Sequence, residues 1–351
     1  MVQDAIRKVV EGQDLTAQEA YAVMEQIMSG QATDAQIAAF LTALRMKGET
    51  VAEVSGFAKV MREKVTPVRT RHRVAASLSG TEREMLVDTC GTGGDAAGTF
   101  NVSTATAFVV AGAGIPVAKH GNRSVSSLCG SADVIEALGV TLDLPPEKVG
   151  RCIDEVGIGF LFAPLLHKAM RYVMLARREI RIRTVFNILG PLTNPARASA
   201  QVIGVYAGHL TETLAHVLNE LGSFRAFVVH GEDGLDEITV TAETRVAEIR
   251  DNRVHTYRVR PEDYGIRRAT LKDLQGGNAA ENAQIIRALL KGEQGPKRDI
   301  VLLNAGAAIA AGGKARDIRE GVAAAAHSID SGAALGKLER MVEFSQREGT
   351  A

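Results

Sequence analysis

Residues 85–112 read MLVDTCGTGGDAAGTFNVSTATAFVVAG, and this stretch decides the fold class. A short apolar run, Met85–Asp88, leads into a Gly-rich loop, and an Ala-rich helix is predicted from about Ser103. A strand, a loop and a helix in this order are typical of an α/β protein with parallel strands. The stretch therefore predicts a mainly parallel central sheet flanked by helices.

The sequence that follows repeats this order. The next strand is predicted over Ile115–Ala118, and a loop and a helix over Ser131–Leu138 come after it. Further strands are predicted over Ala200–Tyr206, Arg225–His230, Val246–Ile249 and Val254–Val259. The last two flank Asp251-Asn252, which indicates a hairpin. The C-terminal helices are predicted over Ala279–Leu290, Asp299–Ala311, Ile318–Asp330 and Ala333–Ser345.

The N-terminal segment has helical signals only. Three capping boxes stand in series, at Thr16-x-x-Glu19, Thr33-x-x-Gln36 and Thr50-x-x-Glu53. Each precedes apolar residues at helical spacing, and Gly30 and Gly48 are placed to end two of the helices. These signals predict a helical bundle.

Two domains follow from this division. Residues 1–70 are predicted to form a small helical domain, joined by helices from about 160–185. Residues 71–351 are predicted to form a large α/β domain. Val65–Arg83 combines Pro67, Gly80 and many charges, which indicates a linker or hinge between them.

Composition excludes several classes of protein. Lys+Arg and Asp+Glu both total 41, and this balance argues against a nucleic-acid binder, which usually has a basic surplus. Cys90, Cys129 and Cys152 are scattered, so we expect no disulfide and a reducing compartment. We see no signal peptide and no apolar run long enough to span a bilayer, so we expect no membrane association and a cytoplasmic protein.

The Gly-rich loop Gly91–Asp95 is the first candidate site. Glycines let the backbone approach a ligand closely, and successive N–H groups before a helix can bind phosphate oxygens. Asn101, Ser103 and Thr104 in the next turn add polar side chains. The loop matches neither a Walker A motif nor GxGxxG, and a plain structural turn is the alternative.

Two more loops follow predicted strands. Lys119–Ser127 contains two cations, His120, Asn122 and several hydroxyls, with a solvated basic loop as the alternative. Asp236-Glu237 lies beyond the strand that ends at His230, and adjacent carboxylates near a phosphate site suit Mg²⁺. An acidic turn is the alternative there. Because loops at the carboxyl ends of parallel strands share one crevice, we expect these loops to face each other.

A fourth segment combines Arg177 with a Gly-Pro…Asn-Pro loop. Residues His167–Arg183 are predicted to form a basic helix with Met170, Val173 and Met174 on one face. An Arg side chain can bind a carboxylate through two parallel hydrogen bonds, although Arg177 alone is one of several surface arginines. The loop from Gly190 to Pro195 is rigid, and packing is its simplest role.

Together these motifs resemble the anthranilate phosphoribosyltransferase family of tryptophan biosynthesis. The resemblance spans almost the whole chain, and its motifs occur in the family's order. They are Gly91-Thr-Gly-Gly-Asp95, Asn101-Val-Ser-Thr104, Lys119-His-Gly-Asn-Arg123, Gly130-Ser-Ala-Asp133, Arg183-Thr-Val-Phe-Asn-Ile-Leu-Gly-Pro-Leu-Thr-Asn-Pro195 and Gly234-Leu-Asp-Glu-Ile238.

The resemblance implies a homodimer through the helical domain and a site in the cleft between the two domains. It implies Mg²⁺-dependent transfer of phosphoribose from phosphoribosyl pyrophosphate to anthranilate. The residues implied for phosphoribosyl pyrophosphate are Gly91, Gly94, Asp95, Thr99, Asn101, Ser103, Thr104, Lys119 and Ser131. Those implied for anthranilate are Gly91, His120, Asn122, His167, Arg177, Gly190 and Pro191. Those implied for Mg²⁺ are Ser103, Asp236 and Glu237.

Two segments depart from the family's pattern. The family usually has His-Pro-Ala-Met where this chain has His167-Lys168-Ala169-Met170, and Arg-x-x-Leu-Gly where it has Arg177-Arg-Glu-Ile180-Arg181. Both departures lie on the acceptor side and leave the sugar side intact. A pyrimidine nucleoside phosphorylase and a non-catalytic nucleic-acid-binding paralogue of the same fold are the two alternative functions.

Overall fold

The structure is a computed structural model that describes residues 1–71, 85–94, 97–124 and 128–349. The predicted hinge Val65–Arg83 is described as far as Arg71, and the rest of it lies outside the described residues. Within the described ranges, no helix combines the length and the apolar character that a membrane span requires.

The N-terminal segment is a bundle of four helices, as predicted. They are α1 (Val2–Val10), α2 (Ala17–Met28), α3 (Asp34–Lys47) and α4 (Val51–Lys64). All three capping boxes are confirmed, because the side chains of Thr16, Thr33 and Thr50 each accept from the amide of the third helical residue. Gly48 ends α3 with φ 89°, a conformation that glycine adopts without strain.

The sheet has seven strands in the order β3-β2-β1-β4-β5-β6-β7. Their bounds are β1 (Val87–Gly91), β2 (Val117–Gly121), β3 (Ile158–Phe162), β4 (Ala200–Gly204), β5 (Arg225–Gly231), β6 (Thr244–Arg250) and β7 (Arg253–Val259). The pairs among β1 to β5 are parallel, whereas β6 is antiparallel to both β5 and β7, which confirms a mainly parallel sheet. The hairpin turn is confirmed, with φ 54° at Asp251 and 58° at Asn252.

Helices occupy both faces of this sheet. Those between the strands are α5 (Val102–Gly112), α6 (Ser131–Ala137), α7 (Pro146–Val156), α8 (Ala163–Leu166), α9 (Met174–Ile180), α10 (Phe186–Leu189) and α11 (Leu210–Glu220). Those after the sheet are α12 (Ala279–Leu290), α13 (Pro296–Ala311), α14 (Ile318–Asp330) and α15 (Ala333–Gly349). The predicted bounds of α12 and α14 are confirmed, whereas α13 begins earlier and α15 ends later than predicted.

Two hydrophobic cores lie on opposite faces of the sheet. Val202 and Phe227 join the core that contains α5 and α13, whereas their neighbours Ile203 and Val228 join the core that contains α11 and the bundle. Successive side chains of a strand point to opposite faces, so a strand with both faces covered is buried at every position. This is why β4 is buried along its whole length.

Helix α4 attaches the bundle to the sheet domain. Arg62 donates through Nε to the Leu192 carbonyl at 2.7 Å and through Nη1 to the Leu221 carbonyl at 3.1 Å. Ser55 donates to Glu220 at the end of α11 at 2.6 Å. Burial lowers the pKa of Arg62 to about 10, so the guanidinium stays charged at neutral pH.

The predicted basic helix over His167–Arg183 is wrong. The chain instead forms a 3₁₀ turn over Lys168–Tyr172 and then the short helix α9. His167 leaves the helical conformation, with φ −100° and ψ 58°, because its ring is buried against another histidine. The predicted apolar face does not form either, since Val173 is buried while Met174 is 52% exposed.

We predict that Gly56→Ala destabilises the bundle, because α2 and α4 touch at this glycine. A Cβ at Gly56 would lie 2.4 Å from the Ala17 carbonyl oxygen, so the helices must move apart. We expect a loss of about 1–3 kcal/mol of unfolding free energy, measured by urea denaturation. Gly336→Ala is the control, since a Cβ on this α15 glycine meets nothing within 4 Å. An equal change in both variants would contradict the close approach.

Candidate active site

The strand order creates a crevice between β1 and β4. The chain runs from β1 outward to β2 and β3 on one side, and from β4 outward to β5 on the other. In open α/β sheets, ligands bind beyond the carboxyl ends of the two strands at such a switch point. Gly91 and Gly204 are paired at these ends, so no side chain projects from either strand at this position.

The Gly-rich loop, Gly91–Gly94, leaves β1 at this crevice. The Thr92 amide donates to the Gly204 carbonyl at 2.9 Å, and the Tyr206 amide donates to the Thr92 hydroxyl at 3.0 Å. These bonds hold the loop against the end of β4. Asp95 lies outside the described residues, so the structure does not describe the end of the predicted phosphate loop.

The acidic loop after β5 lies directly on the two paired glycines. A Cβ at Gly204 would lie 1.5 Å from the Asp236 carbonyl oxygen, and a Cβ at Gly91 would lie 2.3 Å from Asp236 Oδ2. The same Oδ2 accepts the Gly93 amide at 2.8 Å. Gly234 lies in the turn that precedes Asp236 and has φ 95°, a conformation that favours glycine. The structure therefore brings the first and third predicted loops into contact.

Lys119 is buried beneath these loops. Its Nζ donates to the Thr89 carbonyl at 2.6 Å and to Ser103 Oγ at 3.3 Å. Burial lowers the pKa of Lys119, while the charges of Asp88 and Glu237 act in the opposite direction. Lys119 therefore donates a hydrogen bond to Ser103 and is also attracted by the charge of Glu237, one of the two predicted magnesium carboxylates.

The predicted magnesium residues fit that ion by chemistry. The Ser103 hydroxyl and the carboxylates of Asp236 and Glu237 are oxygen donors, which Mg²⁺ prefers. In the described ranges, no group of three His, Cys, Asp or Glu side chains is arranged to hold a metal ion. A magnesium ion here would depend on the hydroxyl, substrate phosphates and water as well as the two carboxylates, which is usual for Mg²⁺.

A buried polar layer supports the site, and the sequence analysis did not identify it. Asp88 is fully buried, which raises its pKa, and its carboxylate accepts from the His120 amide at 3.1 Å. Asn194 donates to the same carboxylate and to the Ala118 carbonyl, both at 2.8 Å. The only signal in the sequence was a charged residue at the end of a strand that precedes a Gly-rich loop.

His120 and His167 form a buried pair of imidazoles. Their Nε2 atoms are 3.1 Å apart, and the His120 ring also hydrogen-bonds to the backbone of Gly190. Burial lowers the pKa of His120 to about 3 and that of His167 to about 4. Both rings are therefore neutral at neutral pH, and one donates its proton to the other.

Arg177 is a half-buried cation with an aromatic neighbour. Its Cζ lies 5.3 Å from the centroid of the Phe186 ring, and burial lowers its pKa. Among the described residues, no carboxylate forms an ion pair with it. A desolvated guanidinium without a counter-ion suits a ligand carboxylate.

The other predicted residues are distributed around these groups. Asn101 donates to the Cys129 carbonyl at 3.2 Å and accepts from Asn282 at 3.0 Å. The Asn122 amide donates to Ser131 Oγ at 3.2 Å, which joins β2 to the start of α6. Thr99 pairs with Gln275. Thr104 is fully buried, and its hydroxyl has no hydrogen-bond partner in the ranges that the structure describes.

Comparisons with known proteins place this geometry in a family. Residues 83–335 match the "Glycosyl transferase family, a/b domain", and residues 3–65 match the "Glycosyl transferase family, helical bundle domain". A relative from Geotalea uraniireducens, named anthranilate phosphoribosyltransferase, is 58% identical over 98% of this chain and 99% of its own length.

The chain belongs to the anthranilate phosphoribosyltransferase family. A crystal structure of this enzyme from Thermus thermophilus is 46% identical, with a TM-score of 0.90, and the match covers 98% of this chain and 99% of that one. The Saccharomyces cerevisiae enzyme in complex with PRPP and Mg is 27% identical, with a TM-score of 0.87 over 99% of this chain and 98% of that one. The yeast enzyme was also solved with 4-fluoroanthranilate.

Family membership confirms the resemblance, the fold class and the activity, and it sets aside the phosphorylase and the nucleic-acid-binding paralogue. Of the residues that depart from the family pattern, Lys168 and Arg181 are exposed and Ile180 is half-buried. Lys168 begins the 3₁₀ turn, and Arg181 ends α9 in a left-handed conformation with φ 50°. The family's glycine adopts that conformation freely, so the arginine carries a local backbone cost of about 1–2 kcal/mol.

The neutral histidine pair predicts an acid-sensitive fold. Because both folded pKa values lie below the usual 6.5, the unfolded chain binds more protons, and stability falls as pH drops from about 6.5 toward 4. At pH 5 each imidazole should lower the free energy of unfolding by on the order of 2 kcal/mol relative to neutral pH. Urea denaturation between pH 5 and 7.5 measures this dependence.

Two variants isolate the effect. His167→Gln should reduce the dependence on pH, because it removes one of the two buried titrating rings. His255→Gln on the exposed face of β7 should leave it unchanged. The same pH dependence in His167→Gln and in the unmodified protein would contradict the assignment.

Proposed function

We propose that this chain transfers the phosphoribosyl group of phosphoribosyl pyrophosphate to the amine of anthranilate, giving N-(5-phosphoribosyl)anthranilate and pyrophosphate. The observation that carries this proposal is the half-buried Arg177, which forms no ion pair within the described part of the chain, in a fold whose switch-point crevice holds a Gly-rich loop. The two features suit an acceptor with a carboxylate and a donor with phosphates. The ligands named for the yeast relative support the same pair of substrates.

The sugar donor is assigned to the side of the crevice that contains the Gly-rich loop. There the backbone approaches the ligand closely, and its N–H groups can face the pyrophosphate. The residues proposed to bind phosphoribosyl pyrophosphate are Gly91, Gly94, Asp95, Thr99, Asn101, Ser103, Thr104, Lys119 and Ser131. Lys119 and Asn101 contact neighbouring loops. These contacts support an indirect role in binding, in which the two residues hold the loops in the shape that binds the ligand.

Ser103, Asp236 and Glu237 are the residues proposed to hold Mg²⁺. When bound, the ion supplies charge neutralisation for the departing pyrophosphate. Asp236 is already oriented by the Gly93 amide, which places the carboxylate next to the phosphate loop before any ligand arrives.

The acceptor is assigned to the side that contains Arg177 and the histidine pair. Arg177 would bind the carboxylate of anthranilate through two hydrogen bonds, and Gly91, His120, Asn122, His167, Gly190 and Pro191 would border the ring. Neutral imidazoles add no positive charge beside the sugar carbon, where positive charge develops during transfer.

Catalysis then rests on positioning and electrostatics. The bond between C1 and the pyrophosphate oxygen breaks and leaves its electron pair on pyrophosphate, the bond between C1 and the amine nitrogen forms, and the amine releases one proton to water. The described residues offer phosphate, carboxylate and metal binders without an activated nucleophile, so a covalent enzyme intermediate is not required. An aromatic amine is neutral and carries a free electron pair, so attack needs no strong base first.

We also propose a homodimer through the helical domain and a cytoplasmic location. Exposed apolar side chains support the dimer, because Met46 on α3 is 84% exposed and Met174 and Leu175 on the adjacent α9 are 52% and 40% exposed. A second copy would remove this surface from water. Cys90, Cys129 and Cys152 form no disulfide among the described residues, which supports a reducing compartment. Residues 1–70 and 71–351 remain our proposed domains.

We predict loss of anthranilate fluorescence when the protein is mixed with anthranilate, phosphoribosyl pyrophosphate and MgCl₂. Each component should be required, because both substrates and the metal meet in one crevice. Omission of each component in turn is the control. Unchanged fluorescence in the complete mixture, with pyrophosphate still bound in calorimetry, would overturn the acceptor but keep the donor site.

We predict that Arg177→Ala raises the KM for anthranilate about 10- to 100-fold, because a charge-assisted carboxylate contact contributes about 1.5–3 kcal/mol. The KM for phosphoribosyl pyrophosphate should change by less than about 3-fold, because the proposed donor site lies on the other side of the crevice. Arg178→Ala is the control, since its side chain is exposed on the same helix. An unchanged anthranilate KM would remove Arg177 from the site.

A further inference from the structure

Arg183 touches the Gly-rich loop from the acceptor side of the crevice. It lies between α9 and α10, and its Nη2 donates to the Gly94 carbonyl. Its backbone is fixed on the C-terminal side, because the next amide, of Thr184, donates to Asn187 Oδ1 at 2.9 Å. Thr184 is buried, so the start of the Arg183 side chain is held in place.

The guanidinium contacts both the loop and an aromatic ring. Its Cζ is 4.5 Å from the centroid of the Tyr206 ring. A Cβ at Gly94 would lie 3.4 Å from Nη2 and 3.6 Å from both Cζ and Nε. Three guanidinium atoms at nearly equal distance indicate that the planar group packs flat against Gly94.

Tyr206 connects this contact to the start of the loop. Its amide donates to the Thr92 hydroxyl at 3.0 Å, and Thr92 in turn donates through its amide to Gly204 at 2.9 Å. Arg183 therefore contacts the last described glycine of the loop together with the residue that anchors the loop's beginning. The Gly93 amide between them is held by Asp236.

The hydrogen bond of Arg183 matters because the loop must receive an anion. A carbonyl oxygen carries partial negative charge, and a free one facing the crevice would repel pyrophosphate. A guanidinium on the Gly94 carbonyl compensates that charge and fixes the orientation of the peptide group. A planar guanidinium that also stacks on an aromatic ring does this better than the flexible ammonium of lysine.

We propose that Arg183 is a positioning residue for the sugar donor, which holds the Gly-rich loop in its anion-binding conformation by joining the Gly94 carbonyl to the Tyr206 ring. This inference rests on the proposed donor site and deepens it. Arg183 acts through the loop, since one face of its guanidinium is taken by Tyr206 and one of its donors by Gly94.

The test compares Arg183→Ala, Arg183→Lys and the control Arg178→Ala. For Arg183→Ala we expect the KM for phosphoribosyl pyrophosphate to rise about 10- to 100-fold, while the anthranilate KM changes less than about 3-fold. Arg183→Lys should recover only part of this loss, because it restores a charge without the planar stack. Arg178→Ala should leave both values unchanged.

Calorimetry of pyrophosphate with MgCl₂ separates this inference from the reaction itself. Affinity for pyrophosphate should fall about tenfold or more in Arg183→Ala, even if anthranilate is not the acceptor. Tyr206→Leu should weaken binding as well, and the double variant should be no weaker than Arg183→Ala, since the two residues act as one unit. If Arg183→Ala does not fold, the affinity for pyrophosphate is compared instead among Arg183→Lys, Tyr206→Leu and the unmodified protein.

Several outcomes would overturn the proposal. An unchanged affinity for pyrophosphate in a folded Arg183→Ala would show that the loop does not need this contact. Equal increases in both KM values would indicate a general structural role. Independent, additive losses in Arg183→Ala and Tyr206→Leu would show that the ring and the guanidinium do not act together.

Discussion

The contact between the acidic loop and the paired glycines of β1 and β4 is the constraint on which the rest of the site depends. Gly204 has no side chain, so the backbone of Asp236 can lie directly on the sheet, closer than any Cβ would permit. Its partner Gly91 leaves equal room for the Asp236 carboxylate. Because Gly91 and Gly204 have no side chains, the proposed metal ligand Asp236 can pack closely against the Gly-rich loop and the end of β4.

Beneath that contact lies a layer of buried charge. Asp88 and Lys119 are both buried, and an isolated charge in such a place is costly unless hydrogen bonds and an opposite charge offset the loss of water. Asn194, the His120 amide and the Thr89 carbonyl supply those bonds. The layer thus connects β1, β2 and the loop after α10, and it gives the flexible glycines above it a rigid base.

Structural features that are controlled by local interactions could be predicted from the sequence. Capping boxes and the Asp251-Asn252 hairpin depend on residues close in the chain, and the structure has them as predicted. β3 and the break at His167 depend on burial against distant residues, and neither was predicted. The candidate loops were identified from their composition, but the contact of Asp236 with Gly93 and that of Arg183 with Gly94 arise only when separate segments fold together.

The contacts that attach the helical bundle extend to the proposed acceptor side of the crevice. Arg62 on α4 holds the Leu192 carbonyl, the residue directly after Pro191, whose neighbour Gly190 contacts the His120 ring. The wall of the proposed acceptor pocket is therefore attached to the bundle, whereas the proposed phosphate-binding loop is attached to the sheet. Efforts to change the acceptor to other aromatic amines should accordingly include substitutions in α4, because a residue of α4 can alter the shape of the proposed pocket without lining it.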